Sequence, residues 1–159
     1  MRVMESFHEF RYSVEDWKSV IAMAKDIYHN ILINALVKDG WQVTDDPLFI
    51  KYFEKHFYID FGAEKFLVAE KKKKRIAIEL KSFLNPSNIY DFHVMIGQYT
   101  NYKMILKEKN SERDLFLGID ENTYNRLKES MGLKSLFYLH NVKLIVFNPE
   151  IEEIVKWKN

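Results

Sequence analysis

The stretch Ile78-Glu79-Leu80-Lys81-Ser82 sets a carboxylate and an ammonium two residues apart in an otherwise apolar run. On a strand, residues i and i+2 share one face about 6.6 Å apart, so both charged heads leave the same side of a largely apolar sheet. An acid so placed can bind Mg²⁺, while the lysine can orient a water or steady a developing phosphoryl charge. The plainer alternative is a same-face ion pair at a strand end. A hard divalent cation is usually held by one or two acids with water completing its shell, so a second carboxylate bears on the choice. Asp60 and Glu64 both precede this strand. A hairpin turning at Lys72-Lys73 pairs Glu79 near Phe66 and brings Glu64 within reach, whereas Asp60 then needs a bulge near Gly62. Spacing leaves both open. Either acid close to Glu79 raises one pKa of the pair through repulsion and burial, a cost that a cation relieves.

Other chemistries lose their main support. The chain has no GxGxxG, no phosphate loop ending in Gly-Lys-Ser/Thr, no HExxH and no GxSxG. It contains no cysteine, which removes disulfides, thiolate zinc sites and cysteine nucleophiles. Histidines 8, 29, 56, 93 and 140 show no close metal-ligand spacing. The run Lys71-Lys72-Lys73-Lys74-Arg75 could neutralise DNA phosphates with a salt-dependent affinity. A solvated turn is the plainer reading, because charge at a hairpin tip also blocks edge association.

The elements that must carry these groups form one domain, since 159 residues with 47% apolar content supply a single substantial core. A formal charge of +1 argues against a broadly basic DNA-coating protein. Apolar runs such as Leu144–Phe147 fall far short of the ~20 residues of a membrane span, and no signal peptide opens the chain. A soluble, cytoplasmic chain without a membrane partner is expected. Residues 1–22 read as an N-terminal extension in which Ser13, Glu15 and Asp16 cap a short helix, ahead of a domain over 23–159. Ile27, Ile31, Leu32, Ala35 and Leu36 recur at helical spacing, and Gly40 stops that helix. Short extended pieces follow around Trp41–Val43 and Phe57–Ile59. The runs Lys65–Ala69 and Ile76–Leu80 then form a hairpin with a lysine-rich turn, buried on both faces. Asn85-Pro86-Ser87 caps a long helix from about Asn88 to Lys107, with Phe92, Ile96, Tyr99 and Leu106 on one stripe. Leu115–Ile119 is a strand, Glu121–His140 is helical with a break at Gly132, and Lys143–Phe147 with Glu153–Trp157 make a terminal hairpin. This order predicts an α/β fold, a mixed β-sheet with flanking helices.

Asp60 followed by Glu79-Leu80-Lys81 between hydrophobic strands, after a helix ending Lys38-Asp39-Gly40-Trp41, resembles the PD-(D/E)XK nuclease superfamily. Gln98-Tyr99-Thr100-Asn101-Tyr102 on the next helix looks like the QxxxY motif of its RecB-like members. The resemblance implies a restriction-endonuclease-like αβββαβ core and a Mg²⁺ or Mn²⁺ site held by Glu79 with Asp60 or Glu64. In it Lys81 orients the attacking water, and Gln98 and Tyr102, one helical turn apart, touch a phosphate. More closely, the chain resembles the XisH family, controlling factors for excision of the fdxN element. The match runs from Met23-Ala24-Lys25-Asp26 through Ile59–Lys65, Ile76–Phe83 and Gly97-Gln98-Tyr99 to Asn148-Pro149-Glu150 and Trp157. Many active nucleases carry a glutamate on the first helix about eleven residues before the glycine; here that position is His29. Asp26, one turn earlier, is a substitute, and His29 itself reads first as a core residue and second as a ligand. The resemblance implies DNA, an XisI-like companion protein and a site-specific recombinase as partners. It allows two activities, a metal-dependent DNA endonuclease or a non-catalytic module that regulates a separate recombinase.

Overall fold

The computed structural model describes residues 13–81 and 89–159. The expected cap at Asn85-Pro86-Ser87 and the first twelve residues of the expected extension lie outside them. Helix α1 spans Val14–Lys38 and opens on a capping box, in which the Ser13 hydroxyl accepts from the Asp16 N–H and the Asp16 carboxylate accepts from the Ser13 N–H. Two separate helices were expected in this region. A single one forms because Ala22-Met23-Ala24-Lys25 are strong helix formers and no glycine or proline interrupts them. At its end Gly40 takes a φ of +87°, and the Trp41 N–H donates to the Leu36 carbonyl. That left-handed turn suits glycine alone without strain. By length and composition α1 could cross a membrane, yet its Leu32, Ala35 and Leu36 are completely buried against the sheet.

Strand β1 (Gln42–Asp45) is followed by a hairpin, β2 (Leu48–Tyr52) and β3 (Lys55–Ile59), which stands apart as its own two-stranded sheet. Strands β4 (Phe61–Leu67) and β5 (Lys72–Leu80), helix α2 (Ile89–Glu108) and strand β6 (Arg113–Asp120) come next. Helices α3 (Glu121–Glu129) and α4 (Met131–Leu139) and the terminal hairpin β7 (Leu144–Asn148) and β8 (Glu153–Lys158) complete the chain. The main sheet runs β1-β4-β5-β6-β7-β8, with β5, β6 and β7 parallel and the outer pairs antiparallel. The order α1-β1-β4-β5-α2-β6 is compatible with the expected αβββαβ core, and β2-β3 is an insertion. Ser130, not Gly132, divides α3 from α4, because its hydroxyl accepts the Leu133 N–H and caps the second helix.

Two cores cover the two faces of the sheet. Phe61, Ile76, Ile78, Phe116 and Phe147 pack beneath α1, while Ala77, Leu115, Leu117 and Val146 pack beneath α2. Gly118 makes the first contact possible: a Cβ there would stand 3.0 Å from Leu32 Cδ2 and 3.3 Å from Ile78 Cγ2. On the other face the buried Tyr99 hydroxyl donates to the Leu115 carbonyl and accepts from the Lys143 N–H, tying α2 to the sheet across two strands. Tyr99→Phe keeps the ring and orphans both groups, so denaturant melts should show a loss of about 1–3 kcal/mol.

The β4–β5 hairpin departs from expectation. Its turn is Val68–Lys71, closed by Glu70 N–H to Leu67 O and with Lys71 at φ +52°. Lys72–Arg75 are therefore strand residues, not the tip. Burial on both faces is confined to Phe61–Ala63 on β4 and Ile76–Glu79 on β5, since Phe66 and Val68 are exposed.

Candidate functional site

The turn position sets the register, Phe61 opposite Ile78 and Gly62 opposite Ala77. Continuing that ladder by one residue brings Asp60 opposite Glu79 with no bulge in β4. Asp60 is the one residue between β3, which faces the α2 core through Ile59, and β4, which faces the α1 core through Phe61. Two hydrogen bonds lock the crossing: the Leu80 N–H donates to Asp60 Oδ2 at 2.8 Å, and the Asp60 N–H donates to Glu79 Oε2 at 3.3 Å. Glu79 shares the α2 face with Ala77, and Lys81 follows on the same face with its Nζ 3.3 Å from Glu79 Oε1. The Lys81 N–H is held by the Gly118 carbonyl at 2.9 Å.

Burial pushes the Glu79 carboxyl up, the charge of Asp60 adds to it, and the Lys81 ammonium offsets only part, leaving a pKa of about 7. Burial also raises Asp60, against the Leu80 N–H and the positive charges of Lys81, His29 and Lys25. Two buried acids on facing residues, with the Lys81 ammonium offsetting only part of the cost, thus hold their negative charge reluctantly at neutral pH. Their cleft, about 510 Å³, opens between the middle of α1 and the N-terminal part of α2 and is also walled by Lys25, Asp26, His29 and Asp91.

Of the residues singled out above, Asp60, Glu79, Lys81, Asp26 and His29 meet at this cleft. His29 is not a core residue: its Nε2 lies 2.8 Å from Asp46 Oδ1, and its ring rests on Phe61 at 4.2 Å between centroids. Tyr102 does not line the cleft; burial raises its phenol, and the charges of Glu79 and Asp60 add to that. One turn earlier the buried Gln98 Oε1 has no hydrogen-bond partner among the described residues. Glu64 is corrected away from the site. It lies opposite Arg75 and binds Lys73 at 3.0 Å and Arg75 at 3.5 Å. Those pairs, with Lys72–Glu70 and Arg75–Glu112, neutralise much of the basic run that stood as a DNA contact. Lys71 lies in the turn and Lys74 beside the Glu112 groove, away from Glu79. Lys25, Asp46 and Asp91 were missed. Asp91 was findable, because Asp91, Met95, Gln98 and Tyr102 fall on one helical stripe. Among the described residues no group of three or more histidines and acids is arranged around one cation position.

A mixed α/β domain with paired acids and a lysine at adjacent strand ends is the class this fold and site define. The XisH protein family model matches residues 22–155, and the chain belongs to that family. An XisH family protein from Nostoc punctiforme PCC 73102 is 35% identical, covering 84% of this chain and 100% of its own, with a TM-score of 0.74. A fdxN element excision controlling factor protein from Anabaena variabilis is also 35% identical, covering 84% and 99%, with a TM-score of 0.75. No curated protein matches the chain.

Proposed function

We propose that this chain is a controlling factor for excision of a DNA element and that it acts as a divalent-metal-dependent DNA endonuclease of the PD-(D/E)XK type. The observation that carries the reading is the register that sets Asp60 against Glu79, with the Lys81 ammonium 3.3 Å from Glu79 at an open cleft. The donor set fits Mg²⁺ or Mn²⁺: two hard carboxylates, one kept from ionising freely by the other, leave room for water in the remaining positions. Bound by Asp60 and Glu79, the cation would supply positive charge against the charge that develops on a phosphoryl oxygen. Lys81 orients the attacking water. Gln98, through its amide N–H groups, and Tyr102, whose raised pKa keeps its phenol protonated, position the phosphodiester from α2 as donors. DNA is the substrate, and an XisI-like companion protein and a site-specific recombinase are the partners.

A second reading, a non-catalytic module that binds DNA or its companion to regulate a separate recombinase, is favoured by one observation. His29, engaged by Asp46, stands where active nucleases of this type carry a third acid. Cleavage separates the two. Supercoiled and branched DNA should be nicked in Mg²⁺ or Mn²⁺ by the wild type and not by Glu79→Ala or Lys81→Ala. Wild-type protein that is folded, supplied with its companion and no more active than the variants would establish the regulatory reading.

A further inference from the structure

On the same face of the sheet as Glu79 but three strands away, about 14 Å by the usual spacing, four lysines converge on one cavity. Lys156 and Lys158 stand two apart on β8, opposite Val146 and Leu144, and so project onto the α2 side. Lys128 comes from α3 and Lys134 from α4. The cavity, about 360 Å³, has an apolar floor of Leu127, Phe137 and Leu144, all buried, with the half-buried ring of Tyr124 in its wall.

The charges there are uncompensated. No acid lines the cavity, and none of the four lysines makes an ion pair among the described residues. The cations turn instead to the tyrosine: Lys128 Nζ lies 4.7 Å and Lys156 Nζ 5.2 Å from the Tyr124 ring centroid. Burial raises the Tyr124 phenol, but the hydrogen bond from Lys156 and the charges of Lys156, Lys158 and Lys128 outweigh it and hold the phenol below its ordinary range. Edge protection explains charges on β8, an outermost strand. It does not explain Lys128 and Lys134, which reach the same cavity from two helices.

We infer that this cavity is a binding site for a phosphorylated nucleoside, with the phosphates among Lys128, Lys134, Lys156 and Lys158 and the flat base against Tyr124 and the apolar floor. A multiply charged phosphate satisfies several ammonium groups at once, and an aromatic plane is what a sequence-neutral base contact uses. The same chemistry belongs to a free nucleotide and to the 5′-phosphorylated end of a DNA strand.

Calorimetric titration in chelator, so that the Asp60–Glu79 cleft takes no part, tests the site. Adenosine 5′-diphosphate should saturate the protein with a Kd below about 1 mM and weaken as salt is raised. Lys156→Ala/Lys158→Ala should weaken it at least about tenfold, and Tyr124→Leu about threefold or more, with circular dichroism unchanged. Inorganic pyrophosphate should bind more weakly than the nucleotide. A 5′-phosphorylated oligothymidylate that binds tighter than both the nucleotide and its 5′-hydroxyl form assigns the natural source to a strand end; the reverse order assigns it to a free nucleotide. Absence of saturable nucleotide binding, indifference to the double substitution, or equal affinity for pyrophosphate overturns the inference.

Discussion

Glu79→Gln should make the metal-free protein more stable at alkaline pH, with its advantage over the wild type growing by roughly 2–3 kcal/mol between pH 5 and pH 8. The wild-type carboxyl titrates near 7 in the fold against an ordinary value of 4.5. Below 4.5 it is neutral in both folded and unfolded chains and costs nothing. As pH rises from there the unfolded chain releases a proton that the folded chain keeps, so stability falls; above 7 the fold carries the whole cost of a buried carboxylate beside Asp60. Glutamine keeps the acceptor for the Asp60 N–H and never ionises. It also frees Lys81 of its ion pair, which trims the gain, because that ammonium is about a quarter exposed and regains water. Urea melts of both proteins at the two pH values measure the difference. Parallel pH profiles would mean that Glu79 is solvated in the fold and that neither burial nor Asp60 opposes its charge.

The same register explains what could and could not be read before the fold was known. Glu79 and Lys81 were legible because a charged pair at i and i+2 in an apolar run has only one geometry on a strand. The partner acid was not, since it depends on where a hairpin turns. Five consecutive cations look like a tip, yet the chain turns earlier, at Val68–Lys71, and each residue of displacement slides the pairing by two. That slide moved Glu79 from the neighbourhood of Glu64 to Asp60. His29 was misjudged for a similar reason: its helical stripe is apolar, but Asp46, on the loop before the β2–β3 insertion, meets it from seventeen residues away. Local patterns report faces; they do not report which distant chain closes over them. The stripe of α2, by contrast, was fully readable, and Phe92, Ile96, Tyr99 and Leu106 are all buried.

Mn²⁺ should raise the unfolding midpoint of the wild type at pH 8, by about 2.7 kcal/mol of stability at a hundredfold excess over its Kd, and chelator should reverse it. The gain would come from the pair itself, since a cation held by Asp60 and Glu79 would convert the repulsion that lifts Glu79 into attraction. It carries a pH signature. Below about 7 the cation must displace the Glu79 proton, so apparent affinity should fall roughly tenfold for each further pH unit. Asp60→Asn should abolish the shift, whereas Glu64→Gln, whose carboxylate is engaged by Lys73 and Arg75, should leave it intact. This measurement is independent of turnover: a pH-linked shift without nicking would describe a cleft that binds a cation in a regulatory protein. A midpoint unmoved by Mn²⁺ at every pH would remove the cation from Asp60 and Glu79 and leave Lys81 with a purely structural ion pair.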